Sequence, residues 1–139
     1  MAELEPRALE AVEPDEEGST LAAISNAMVR LYKELFGRGP TKARSYFAGP
    51  DVLVCILRET FTPAERSLVA MGEKQRVRDA RVFFQHASED QFKGAIEQIL
   101  DRKVTGFVSG VDVGVDLAAE IFVLEPAGQG ASTGSGALS

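Results

Sequence analysis

From Leu21 onward the apolar residues fall at positions 21, 24, 28, 31 and 35, a helical spacing with a heptad-like stripe. Ser19 or Thr20 is placed to cap the start of this helix, and Gly37 to end it. A second stripe of Ala22, Val29, Tyr32 and Phe36 flanks the first, so the apolar arc is wider than one packing contact requires. Lys42–Phe47 then alternates in character, residues 48–51 (Ala-Gly-Pro-Asp) supply turn chemistry, and 52–57 is apolar throughout, which together predict a β-hairpin. Thr62-Pro63-Ala64-Glu65 predicts a helix start, with Thr62 as cap, Pro63 at the first helical position and Glu65 closing a capping box. That helix stops near Gly72. A longer helical stretch over 73–101 buries Val77, Phe84, Phe92, Ala95 and Ile99, and Ser88, with Gln91 three residues on, offers a place for it to break. Segments 103–109 and Leu117–Leu124 predict a second hairpin with a longer connection through 111–116.

The resulting order, α-ββ-α-α-ββ, predicts an α+β fold in which a four-stranded, mostly antiparallel sheet has helices covering one face. Each half is a helix followed by a hairpin, and each hairpin ends at a proline (Pro63, Pro126), as a diverged α-β-β duplication would. The strand 52–57 is apolar on both sides and needs cover on both. Either it is a central strand covered by a long helix and a loop, or a second subunit covers one side. With the wide arc of the first helix, the second alternative predicts a homodimer with the first helix or first hairpin at the interface.

Charge redraws the boundaries of the domain. Residues 1–19 hold seven acids against the single base Arg7, and read as an acidic disordered tail. Residues 127–139, rich in Gly, Ser, Ala and Thr, read as a flexible tail, leaving 20–126 as one folding unit. The chain carries −6 in all, so the remainder beyond the N-terminal tail is neutral. Its charge is uneven: residues 30–81 hold eleven Lys/Arg against six Asp/Glu, while 104–126 hold four acids and no base. One cysteine excludes an internal disulfide or a multi-cysteine zinc site. No apolar run approaches the ~18 residues of a membrane span, and the acidic start lacks the form of a secretory signal. The expected compartment is the cytoplasm.

The densest candidate chemistry is Gly37-Arg38-Gly39-Pro40-Thr41-Lys42-Ala43-Arg44, a helix-to-strand loop with three cations among flexible and rigid backbone. Arg38, Gly39, Lys42 and Arg44 are the candidate anion- or partner-binding residues, the arginines presenting planar forks suited to an oxyanion. The spacing is not that of a P-loop. The plainer alternative is a helix C-cap with cations near the negative end of the helix. Cys55 lies in the most apolar strand and reads as a buried structural thiol; His86, the sole histidine, reads as a surface residue without catalytic or metal partners. Asp112, Asp116, Glu120 and Glu125 miss the calcium-loop pattern and read as a solvated turn. No catalytic constellation, metal site or cofactor motif is present, so an enzyme is disfavoured.

The runs Ile24-Ser25-Asn26-Ala27-Met28-Val29, Lys33-Glu34 and Phe36 to Arg44, followed by Leu57 to Arg66 and Phe122-Val123-Leu124-Glu125, resemble the MpsC-type family over about residues 20–126. That family is associated by name with a sodium-translocating, membrane-potential-generating system. The resemblance implies a non-enzymatic accessory or regulatory protein. It would be linked to a membrane ion or inorganic-carbon uptake system, and peripheral at the membrane through a membrane-associated partner protein. Anion sensing at the Gly-Arg-Gly-Pro loop would suit such a role. The alternative is a nucleic-acid-binding module using the basic 30–81 region. It is disfavoured because Tyr46 and Phe47 are the only aromatics in the first hairpin, and one of them must face the core.

Overall fold

A computed structural model describes residues 13–126. Four helices and four strands follow in the order α1 (Glu13–Phe36), β1 (Lys42–Phe47), β2 (Val52–Arg58), α2 (Pro63–Ala70), α3 (Lys74–Ala87), α4 (Glu89–Leu100), β3 (Val104–Asp112) and β4 (Leu117–Leu124). The fold is α+β as expected, and the sheet is antiparallel at every pairing, in the order β1-β2-β4-β3. Both hairpins therefore run from an edge strand to a central one, and the two central strands meet along β2–β4.

Several boundaries differ from the sequence expectation. Residues 13–19, assigned above to the acidic tail, belong to α1. Acids such as Glu16 and Glu17 suit the first turns of a helix, where negative charge meets the positive end of its dipole. Residues 1–12 and 127–139, the rest of the two expected tails, lie outside the described residues. The stretch 73–101 does break, at Ser88, but without a side-chain cap: the Ser88 N–H donates to Phe84 O, and its own carbonyl accepts from Phe92 N. On α3 the buried stripe is Val77, Arg81 and Gln85, and Phe84 is half exposed. β3 extends to Asp112, so only residues 113–116 form the turn to β4. At α2 the expected capping box is formed, with Thr62 and Glu65 satisfying each other's backbone N–H groups.

The wide arc of α1 is used within the chain. Ile24, Ala27, Met28, Leu31 and Tyr32 are buried, and Leu21, Leu35 and Phe36 pack against the same core as Leu53, Leu57, Phe92, Ile96 and Phe122. One flank of the arc meets β1 and the other α4. A smaller cluster of Phe61, Val77 and Val113 closes the α2–α3 end.

Register then sorts the sheet into two faces. The inner face carries the rows Ala43–Leu57–Ala118–Val111, Ser45–Cys55–Glu120–Ser109 and Phe47–Leu53–Phe122–Phe107. The outer face carries Lys42–Arg58–Leu117–Asp112, Arg44–Ile56–Ala119–Gly110 and Tyr46–Val54–Ile121–Val108, then Val52–Val123–Gly106. None of the outer-face residues joins either core cluster. Val108 is 61%, Tyr46 51% and Val123 40% exposed. Among the described residues the helices cover one face of the sheet and leave the other bare.

Candidate functional site

The Gly-Arg-Gly-Pro loop begins where α1 ends. Gly37 adopts φ +81°, the left-handed conformation of a helix C-cap, and its N–H donates to Lys33 O. Gly39 backs onto α1 so closely that a Cβ there would lie 3.1 Å from both Val29 Cγ1 and Val29 O. Its lack of a side chain serves packing of loop on helix. Arg38 is half-buried and donates through Nη2 to Glu59 O at 3.2 Å. Glu59 itself holds φ +59° and accepts from the Thr41 hydroxyl. That hydroxyl, with the charges of Lys42 and Arg38, keeps its carboxyl below the ordinary value.

Lys42 and Arg44 point the other way, onto the outer face of β1, as alternation from the buried Ser45 requires. With Thr41, Tyr46, Ile56 and Arg58 they line an open groove of about 560 Å³. The structure thus brings Lys42 and Arg44 together with Arg58, and leaves Arg38 outside the groove against Glu59. Arg58 was absent from the sequence candidates. The cross-strand pairing Lys42↔Arg58 that brings it in depends on the hairpin register, which a sequence reading can obtain from the turn at 48–51. Among the described residues none of these three cations forms an ion pair with an acid. Tyr46 faces outward beside them, and Phe47 packs inward.

A second polar constellation lies on the inner face, and sequence reasoning missed it. Glu120, placed above in a solvated turn, is fully buried among Ala118, Phe122 and Leu124, with which it shares strand parity. That parity was the available signal. Tyr32 Oη donates to Glu120 Oε2 at 2.5 Å, and Gln85 Nε2 lies 3.3 Å from Tyr32 Oη and donates to Gly110 O at 3.3 Å. Burial raises the Glu120 carboxyl to about 7, against the lowering pull of Ser109, Tyr32 and Gln85. Glu120 Oε1 and the hydroxyl of Ser109, its cross-strand neighbour, are both buried and neither makes a hydrogen bond of ordinary geometry. Burial also lifts the Tyr32 hydroxyl well above its usual value, with the Glu120 charge adding to it.

Other groups are structural. Arg81, 1% exposed, makes two hydrogen bonds to the Glu65 carboxylate (2.8 and 2.6 Å), one to Thr60 O (2.9 Å), and stacks 3.8 Å over the Phe36 ring. Burial alone would raise the Glu65 carboxyl, but these bonds and the Thr62 N–H outweigh it and hold it below the ordinary value. Asp116, also assigned above to a solvated turn, instead accepts from Thr60 N, Thr60 Oγ1 and Phe61 N, pinning the β3–β4 turn to the β2–α2 connection. Cys55 is buried beneath Ser45, and burial pushes its thiol up to about 11; His86 is exposed. Among the described residues no cluster of His, Cys, Asp and Glu has the makings of a metal site, and no helix is long and apolar enough to cross a membrane.

Neither the curated proteins nor the solved structures yield a match to this chain. A family model described as "Na+-translocating membrane potential-generating system (MpsC)" matches residues 16–126, the whole of the sheet and nearly all of the helices set out above. By that match the chain belongs to the MpsC family.

Proposed function

We propose that this protein is a non-enzymatic accessory component of a membrane-potential-generating system, acting by contact through the bare face of its sheet. In this reading it is cytoplasmic, reaches the membrane through a partner protein, and works as a homodimer. The basic groove at one end of the face takes an oxyanion, either a free bicarbonate or phosphate or the carboxylates of an acidic partner segment. The observation that carries this reading is the gathering of Lys42, Arg44 and Arg58 around one open groove, without an acid paired to any of them among the described residues. The binding role expected of the Gly-Arg-Gly-Pro loop thus moves to its strand end, because Arg38 is engaged by the Glu59 carbonyl.

Amide chemical shifts recorded while sodium bicarbonate or phosphate replaces chloride at constant ionic strength test this. Changes confined to residues 41–46 and 56–58, and lost in Arg44→Ala, are expected. Shifts that merely follow total salt, with no focus on the groove, would overturn the anion site.

A further inference from the structure

Resting on the reading of the basic groove as a contact site, we propose that its occupant is an extended acidic segment of a partner protein. The segment adds to the sheet beside the edge strand β1 and sets alternate carboxylates against Arg44 and Lys42.

The open edge of β1 supplies the backbone half of such a site. Ala48 N–H donates to Val52 O at 2.8 Å, which makes 48–52 a hydrogen-bonded pair. By alternation Tyr46, Arg44 and Lys42 also turn their N–H and C=O groups to β2. The backbone groups of Ala43, Ser45 and Phe47 therefore point away from the sheet. Among the described residues no hydrogen bond reaches them, and those of Ser45 are made by its hydroxyl, with Ser25 and Cys55. The opposite edge is obstructed: β3 carries a register break between Val104 and Gly106, and Arg78 from α3 donates to Val111 O at 3.2 Å. β1 keeps an unbroken register from Lys42 to Phe47.

Charge supplies the other half. An antiparallel strand on this edge places its residues opposite Lys42, Arg44 and Tyr46 in non-hydrogen-bonded pairs, where facing Cα atoms approach to about 4.5 Å. The fitting segment carries one acid opposite Lys42, another opposite Arg44 and an apolar residue opposite the half-exposed Tyr46. Arg58 stands behind Lys42 in the same row and adds to the field on the first of these acids. Intervening residues turn toward α1, which lies close over β1 at the 2.7 Å contact of the Ser25 and Ser45 hydroxyls, and so must be small. Along the segment, then, an apolar residue is followed two and four places later by acids. A second β1 edge would crowd these cations against their own kind. A nucleic acid answers the charge but cannot pair with the backbone.

The probe is a capped peptide, Val-Ser-Glu-Ser-Glu-Thr, titrated into the full chain while amide hydrogen exchange is followed by NMR. In the free chain the N–H groups of Ala43, Ser45 and Phe47 should exchange faster than those of Arg44 and Tyr46, and the peptide should slow all three. Methylating the backbone nitrogens of both serines, whose N–H groups face β1, should weaken binding about tenfold or more. Methylating those of both glutamates, whose N–H groups face away, should leave it within about twofold. Replacing both glutamates by glutamine should abolish it. Equal affinity of the two methylated forms, undiminished binding of the glutamine peptide, no binding of the parent peptide, or edge amides already protected in the free chain would each overturn the proposal. The bicarbonate and phosphate shifts are recorded without peptide, so the anion site can stand when strand addition fails, and the reverse.

Discussion

Glu120 shows how a single carboxyl can set the pH response of a whole domain. In the unfolded chain it titrates near 4.5, and in the folded chain near 7. The folded state therefore binds more protons between those values, so stability is whole below 4.5 and declines as pH rises through about 7. The loss from this residue is up to about 3 kcal/mol, taking 1.36 kcal/mol per pKa unit. Urea unfolding at pH 5.5 and pH 8 should find the chain weaker at pH 8, and Glu120→Gln, which keeps an acceptor for Tyr32, should flatten the difference. Parallel profiles for the two proteins would mean that Glu120 is ionised in place. Cys55 gives a second test at the same scale. Its thiol, raised to about 11 and fully covered, should resist alkylation in the native chain and react only when urea unfolds it.

Among the elements, α2 and α3 are joined by the Arg81–Glu65 pair rather than by a broad apolar seam, for α2 has no buried residue of its own. Removing Arg81 strands a carboxylate that is 17% exposed and leaves Thr60 O without its donor. Arg81→Met should cost about 3 kcal/mol, the usual result of breaking a buried pair on one side. Thr62→Ala, which removes only a cap, should cost about 1 kcal/mol. Urea midpoints that fail to rank the two in this order would argue that α2 is held some other way. The same elements show what the sequence made legible. Local rules sufficed where one residue and its near neighbours decide the outcome: the Thr62–Glu65 box, the turn at 48–51, the left-handed Gly37. They failed where the partner is remote. Arg81 reads as a surface cation until Glu65 and Phe36 close over it from other elements, and Arg58 joins the groove only through its pairing with Lys42. Glu120 was legible by parity with Ala118 and Phe122, yet a lone acid beside Asp112 and Asp116 invites the solvated reading.

For the molecule as a whole, the proposed homodimer makes stability depend on concentration. Since only the folded chain can pair, the thermal midpoint should rise as protein is concentrated. A midpoint independent of concentration in the wild-type chain would count against assembly. The strand order has a separate consequence, for the time the chain needs to reach this state. Each hairpin is local, but the β2–β4 seam joins Val52 to Val123, about seventy positions apart, with three helices in between. Until that seam forms, the core rows divided between the hairpins have only half their members. The two hairpins and α2 to α4 should gain structure early, and the seam should be the slow, rate-limiting step. During that interval the bare apolar strands of both hairpins lie open to water and to other chains. The interval before the seam closes, rather than any weakness of the finished fold, is when this protein is most exposed to aggregation.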